Sequence, residues 1–411
     1  MLTAASRLRT RLAHALARTS DEPFGWTAAQ LLRGLRNLLL WFLLLPLALA
    51  LHLAGMRRLP VITQRIGHLA AEVDCFLKER ALGQLPRRAW FIAARPRHIA
   101  NRHLLNYWKN EVKVVDRPIL AQLLQVACRP PIAAHDIVDY VLTQHGAAHY
   151  GAINAQWGTR RALLALTDED REWGAAMLAE LGLPRGAWFV CIHPRTPGFA
   201  SHDDKVHAYR NSTPALLLPA VGSIAERGGW SVLMGDASSP PLANHPRLID
   251  YAHHRLRSER LDVVLCALCR FFLGSSSGLF AVSTVFGVRS ALTNQVPMAV
   301  RPYAPGDLYI PKLYRATADS RVLSFAEALS SPIGGLRHSR QFRDAGIELV
   351  ENTAEEILDL AEEMLESLAA PAGARGDDGF NRLLEGHHYG FGSKARISAR
   401  FLARHRHLLQ R

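Results

Sequence analysis

Residues 38–51 are apolar without a break: Leu-Leu-Leu-Trp-Phe-Leu-Leu-Leu-Pro-Leu-Ala-Leu-Ala-Leu. With His52 tolerated, the run reaches Met56, which as one helix spans ~28 Å, barely the hydrocarbon core of a bilayer. Pro46 sits in its middle and predicts a kink. Arg33 and Arg36 precede the run and Arg57 and Arg58 follow it. Positive charge on both sides selects no orientation, so a single span and a shallow re-entrant segment are both open. Upstream, Leu2–Arg18 mixes Leu and Ala with Arg at helical spacing, a pattern suited to a membrane surface.

From Leu59 the pattern changes to short apolar runs alternating with helical periods. Val61–Thr63, Trp90–Ala93 and Val112–Val115 read as strands, and Arg65–Glu79 and Ile119–Cys128 as helices. Thr167 followed by Asp168, Glu169 and Asp170 opens a helix that Gly182 closes. That helix and Pro184-Arg185-Gly186 mark a boundary between lobes. Further strands are expected at Trp188–His193, Trp230–Met234, Leu248–Tyr251, Arg270–Leu273 and Ser290–Thr293. Helical patterns at Ser212–Arg227, Arg260–Cys269 and Leu279–Phe286 separate most of them, which implies a parallel, doubly wound sheet. Thr353–Glu356 is a capping box that starts an acidic amphipathic helix to about Ala369. Gly373–Gly379 reads as a loop. Beyond it, Ile397, Phe401, Leu408 and Leu409 form an apolar stripe beside Arg396, Arg400 and Arg404.

Charge sharpens this division. The chain has 411 residues and a formal net charge of +13. Residues 1–58 hold eight Arg against Asp21 and Glu22, a net +6, and residues 382–411 hold seven Lys or Arg against Glu385, again +6. The middle is therefore close to neutral at +1. Basic residues beside apolar sequence at the two ends suit an anionic membrane surface better than nucleic acid. The five cysteines are scattered and odd in number, as in a reducing compartment. Cys266 and Cys269 have zinc or redox spacing, but no second pair accompanies them, and helical packing is the simpler reading.

Three strand ends carry the chemistry. His193-Pro194-Arg195 follows the first, Gly235-Asp236 the second, and Gly274-Ser275-Ser276-Ser277-Gly278 the third. Ligands of open α/β sheets sit beyond such carboxyl ends. The Gly-Ser loop and the helix behind it offer close backbone approach, hydroxyls and a positive dipole end, a seat for phosphate. Arg195 suits a diphosphate through its bidentate fork, and Asp236 suits a base or ribose. Lys205 and Arg210 are further cations for the same charge. Each also has a simpler reading: Asp236 as a turn former, His193 as a core histidine, Arg195 as a surface ion-pair partner.

The segments Tyr209-Arg-Asn-Ser212, Gly228-Gly-Trp-Ser-Val-Leu-Met-Gly-Asp236, Ile249-Asp-Tyr-Ala-His253, Cys269–Leu279, Val285-Phe-Gly-Val288, Leu292-Thr-Asn294, Asp307–Tyr314 and Arg65-Ile-Gly-His-Leu69 resemble bacterial glycosyltransferases found with surface-polysaccharide genes. The likeness covers roughly 59–411 and is densest from 188 to 315. More distantly, the second lobe resembles the donor lobe of GT-B fucosyltransferases. His193 and Arg195 match their HxRRxD motif, while Thr196 and Gly198 replace its second Arg and its acid, a departure that speaks against a guanine-nucleotide donor.

This resemblance implies an α/β, GT-B-like chain: two Rossmann-like lobes facing a cleft, with an N-terminal membrane-associated helix. The expected organisation is 1–58 as basic segment and anchor, 59–184 as acceptor-side lobe, 185–370 as donor lobe and 371–411 as loop and basic C-terminal helix. The implied function is transfer of a sugar from a nucleotide-sugar donor to a glycan or lipid-linked acceptor, at the cytoplasmic face of the plasma membrane. His193, Arg195, Lys205, Arg210, Asp236, Ser275, Ser276, Ser277 and Gly278 would bind the donor. His68, with Glu72 one helical turn on, is the expected general base, with His207 and Asp204 as rivals. His202-Asp203-Asp204-Lys205 lacks the apolar strand that precedes a metal-binding DxD, so metal-independent chemistry without a cofactor is expected. A nucleotide-sugar epimerase of the same fold and a non-catalytic, membrane-bound nucleotide-binding partner are the alternatives.

Overall fold

The computed structural model describes residues 28–130, 132–134, 144–198, 206–369 and 379–409. The amphipathic stretch at residues 2–18, Asp203, Asp204, Lys205 and most of the 373–379 loop lie outside the described residues.

The chain enters through helices α1 (Ala28–Leu43) and α2 (Leu45–Leu53), with Pro46 in the first turn of α2. Their apolar parts are bent by 54° at Leu44. Pro46 cannot donate a helical hydrogen bond, which favours a new helix start at this point. Among the described residues no single helix is long and apolar enough to cross a membrane, though this bent pair passes by length and composition. The anchor is also not separate from the first lobe. Ala48 of α2 is fully buried in a cluster that includes Phe91, Ala121 and Leu124. The chain then runs directly into strand β1 (Met56–Arg58).

The first lobe continues with α3 (Ile66–Ala81), β2 (Ala89–Ala93), α4 (Arg102–Trp108), β3 (Lys113–Val115), α5 (Pro118–Ala127), α6 (Gln144–Trp157) and α7 (Asp168–Glu180). β1, β2 and β3 form a parallel sheet in that order. This is a small α/β layer of three described strands rather than a full Rossmann-like sheet. The strand expected at Val61–Thr63 lies earlier, at β1. Residues 61–63 instead make the loop before α3, where the Ile62 N–H donates to Glu72 and the Thr63 hydroxyl to the His98 carbonyl. A β-branched run is compatible with either state, and side-chain partners decide.

The second lobe contains β4 (Phe189–His193), α8 (Leu218–Glu226), β5 (Trp230–Leu233), β6 (Leu248–Asp250), α9 (Glu259–Leu268), β7 (Phe272–Ser275), α10 (Gly278–Val285), β8 (Ser290–Gln295) and β9 (Leu308–Pro311). After the antiparallel pair β10 (Leu313–Ala316) and β11 (Ile347–Val350) come α11 (Ala354–Ala369), β12 (Arg396–Ile397) and α12 (Ala399–Arg404). The seven-stranded sheet has the order β12-β9-β8-β7-β4-β5-β6, and all its pairings are parallel. The chain builds outward from β4 to β6, then returns to β7 on the other side of β4. The order therefore reverses between β4 and β7, and a crevice opens at such a switch point.

The basic C-terminus has a different role from the one its charge suggested. α12 packs on the acidic α11, with Arg400 on Glu362 at 2.8 Å and on Glu366, and Arg404 on Asp359 at 2.8 Å. Arg400 holds the Glu362 carboxyl below its ordinary range, against the opposing effect of burial. These arginines are paired with α11 carboxylates at the lobe surface and are not unpartnered charges for anionic lipid. The Cys266–Cys269 pair is buried, with the Cys269 thiol on the Cys266 carbonyl, in keeping with helical packing.

Asp170 of α7 ties the lobes together. It accepts from Tyr107 and from His103 (2.8 Å) on α4, and from Arg260 (2.7 Å) on α9. Burial pushes its pKa up, but the hydrogen bonds from Tyr107, His103 and Arg260 outweigh this and hold it below the ordinary 3.8. Burial, reinforced by Asp170, pushes the Tyr107 phenol up to about 12. A depressed carboxylate stabilises the fold fully above its unfolded pKa, and the effect fades as pH falls through the folded value. Asp170→Ala should cost about 3 kcal/mol of stability at neutral pH by leaving Tyr107 and the Nε of Arg260, whose other arm stays on Glu169, without their acceptor. Urea unfolding should also show a shallower loss of stability below about pH 4 than in the parent. Parent-like stability at neutral pH would contradict this role.

Candidate functional site

The crevice forms where two helix N-termini meet. α3 of the first lobe packs on α10 of the second, with Gly67 against Gly278. A Cβ on Gly67 would lie 2.9 Å from the Gly278 Cα, and one on Gly278 would lie 2.6 Å from the Ile66 side chain and 3.0 Å from the Gly67 nitrogen. Only glycine at both positions allows this approach. Both helices thus turn unpaired N–H groups and positive dipole ends toward one place. Such a place favours an anion.

On the first-lobe side stands His68, one residue past Gly67. Its Nδ1 lies 2.7 Å from Glu72 Oε1, and the other oxygen of Glu72 accepts from the Ile62 N–H at 3.1 Å. Glu72 is buried while the His68 side chain keeps 19% exposure. A neutral ring that donates from Nδ1 to this fixed carboxylate keeps Nε2 as an acceptor. That is the arrangement of an oriented general base. The two residues expected to act together are therefore joined by a direct side-chain contact.

On the second-lobe side the three expected strand ends converge at the switch point. β4 delivers His193 beside Gly274 of β7. A side chain at Gly274 would collide with the His193 carbonyl, so glycine permits this pairing. The Arg195 N–H donates to Ser275 Oγ at 2.6 Å, joining the first and third loops. Ser277 caps α10 with extended backbone, and its buried hydroxyl has no partner among the described residues. Buried polar atoms are nearly always satisfied, so this hydroxyl is open to a further partner. Asp236 spends one carboxylate oxygen on the Ser238 N–H (2.7 Å) and hydroxyl (2.5 Å), so turn formation accounts for half of it. Lys205 lies outside the described residues.

The segment at 209–212 is the clamp of this site. Arg210 donates to the Ser276 carbonyl and, at 3.3 Å, to its hydroxyl. The Ser212 N–H donates to the Arg195 carbonyl at 2.9 Å. The Asn211 carbonyl accepts from Lys312 Nζ at 2.7 Å. Lys312 was not singled out from the sequence, although it lies inside the Asp307–Tyr314 segment. It is buried at the end of β9, burial lowers its pKa, and Glu351 opposes that shift. A lysine at the end of a wholly apolar strand was the available signal. His207 lies in another group, with its ring 6.0 Å from that of His338. Among the described residues no group of three or more His, Cys, Asp or Glu is placed to hold a metal ion.

No protein-family profile and no curated protein matches the chain. Solved structures do. A glycosyl transferase of family 9 from Veillonella parvula DSM 2008 is 11% identical, with 77% of this chain and 98% of that one covered and a TM-score of 0.44. The ADP-heptose LPS heptosyltransferase II of E. coli is 12% identical over 77% and 100%, with a TM-score of 0.42. The E. coli heptosyltransferase WaaC with ADP is 12% identical over 76% and 99%, with a TM-score of 0.34. The expected likeness to fucosyltransferases has no support among these structures. At these scores the architecture rests on the topology described above.

Two predictions follow from the geometry. His193 Nδ1 donates to the Met234 carbonyl at 2.9 Å. Burial lowers its pKa, the Met234 bond opposes the shift, and the Arg195 charge adds to it. Its NMR titration, assigned with His193→Gln, should have a midpoint below 6.5; a midpoint at or above 6.5 would exclude this environment. Gly67→Ala should force α3 off α10 and cost about 1–3 kcal/mol through overpacking. An unchanged melting temperature would show that the seam can open without cost.

Proposed function

We propose that this protein is a glycosyltransferase of GT-B type that moves a sugar from a nucleotide-sugar donor to a hydroxyl of a glycan or lipid-linked acceptor. The observation that carries the reading is the facing of His68–Glu72 and the Ser275–Ser277 loop across the Gly67–Gly278 seam. A base on one lobe and a phosphate seat on the other are what an inverting displacement requires.

In that reaction, His68 Nε2 takes the acceptor hydroxyl proton as the oxygen attacks the anomeric carbon. The bond from that carbon to the diphosphate oxygen breaks, and the nucleoside diphosphate leaves with the electron pair. Glu72 holds the imidazole in the required tautomer and stabilises its protonated form. The charge growing on the diphosphate falls at the α10 N-terminus, beside the Ser277 hydroxyl and the cations Arg195 and Arg210. Preorganised donors at such a point lower the barrier without reorganising during the step. Gly278 admits the phosphate close to the backbone, and Asp236 has one carboxylate oxygen left for the nucleoside. Lys205 is assigned to the same donor side by its sequence position. The nucleotide sugar is the substrate, and no cofactor enters the scheme. The apolar, basic N-terminus would keep the enzyme at the cytoplasmic face of the plasma membrane, in reach of a lipid-carried acceptor and its polysaccharide assembly.

Thermal-shift titration with UDP, GDP, CMP and dTDP should identify one preferred nucleotide, and the matching nucleotide sugar should be consumed. His68→Ala should lower kcat by about 10²–10⁴ with nucleotide binding retained. Arg195→Ala should weaken nucleotide binding, and full activity in that variant would overturn the donor site.

A further inference from the structure

Twelve of the thirteen large hydrophobic side chains exposed among the described residues lie on three helices, α1, α2 and α5. The third is distant in sequence from the first two. Leu39 and Leu43 on α1 are 61% and 74% exposed, Leu53 at the end of α2 is 86% exposed, and Ile119 on α5 is 76% exposed. Leu120 and Leu123 extend the α5 stripe at helical spacing. α5 contacts both α1 and α2, and its opposite face is buried through Ala121, Leu124 and Ala127. The exposed rows therefore belong to one composite surface, far beyond the scattered apolar residues of an ordinary surface.

The charges around this surface have one sign. From Ala28 to Arg58 the chain carries four Arg and no Asp or Glu, of which Arg57 is buried on the His52 and Met56 carbonyls, and from Arg117 to Ala134 it carries Arg117 and Arg129 and no acid. Arg36 and Arg117 are exposed. The adjacent Asp116 is neutralised by Lys109 at 2.9 Å.

From the apolar rows and the acid-free basic rim, we infer that α5 of the first lobe joins α1 and α2 in a single face that docks into one leaflet of an anionic membrane without crossing it. The 54° bend and the burial of Ala48 hold α2 against the lobe, so the pair is not extended along one axis. Apolar side chains enter the acyl boundary while arginines meet lipid phosphates. A second copy of the chain would bring the same arginines against each other with no carboxylate to pair them. The face lies on the lobe that carries His68, so under the proposed function the base side of the cleft is held next to a lipid-carried acceptor.

The test is co-sedimentation of the full chain with phosphatidylglycerol-containing vesicles and with pure phosphatidylcholine vesicles, in the absence of nucleotide sugar. The parent should bind the anionic vesicles more tightly. Ile119→Asn/Leu120→Asn/Leu123→Asn should reduce partitioning by about tenfold or more with α1 and α2 untouched. These side chains are exposed, so its thermal melt should match the parent. With the protein added outside sealed vesicles, no part of residues 28–58 should become accessible to a protease trapped inside them. Parent-like partitioning of the triple variant would overturn the role of α5, and cleavage from the inside would overturn docking in one leaflet. Loss of a vesicle-free dimer in the triple variant would assign the face to self-association instead. No sugar donor takes part, so failure here leaves the catalytic reading standing, and inactivity toward every donor leaves this one standing.

Discussion

The contact between Gly67 and Gly278 is the constraint on which the site depends. Two helices from different lobes pack side by side there through their first turns, closer than any side chain would allow. Their dipoles point the same way, toward the crevice, which is unfavourable for the empty protein and favourable for a bound anion. The interlobe ties at Asp170, together with Asn101 and Arg102 on Glu259, hold the lobes together elsewhere.

The second lobe turns one topological fact into chemistry. Because the strand order reverses between β4 and β7, the loops after both strands border one crevice. The Arg195–Ser275 hydrogen bond closes them on each other, and Arg210, Ser212 and Lys312 hold the arrangement from behind. These polar groups are bonded mostly to backbone. That fixes loop shape and leaves the Ser277 hydroxyl and the α10 N-terminus turned to whatever binds. The acidic α11 and basic α12 play the corresponding part at the far edge, where their ion pairs seat β12 beside β9.

Much of the second lobe was legible because its strands are buried on both faces and read as continuous apolar runs. β4, β5, β7 and β8 fall within a few residues of their expected places. The first lobe was less legible. β1 is hidden in Met56-Arg57-Arg58, which looks like the charged flank of an anchor and pairs with β2 only because α2 delivers it there. β12 hides in the same way within a basic stripe. A two- or three-residue strand has too few positions for a period to show, and only its neighbour defines it. Within the site, His68 and Glu72 could be paired from helical spacing alone, whereas the clamp by Arg210 and Lys312 joins residues 66 and 101 positions apart.

By itself, the sequence determined the element types of the long segments, the polar character of three strand ends and the placement of charge at the chain termini. Periodicity and local capping are short-range properties, and they survive in any fold that uses the segment. The tertiary structure alone decided that two glycines touch and that the strand order turns at His193 and Ser275. It also decided that Arg400 and Arg404 are paired by α11 while the apolar α1 and α2 remain on the surface beside α5. Each of these depends on which distant segments share a boundary, and chain topology and close packing set that.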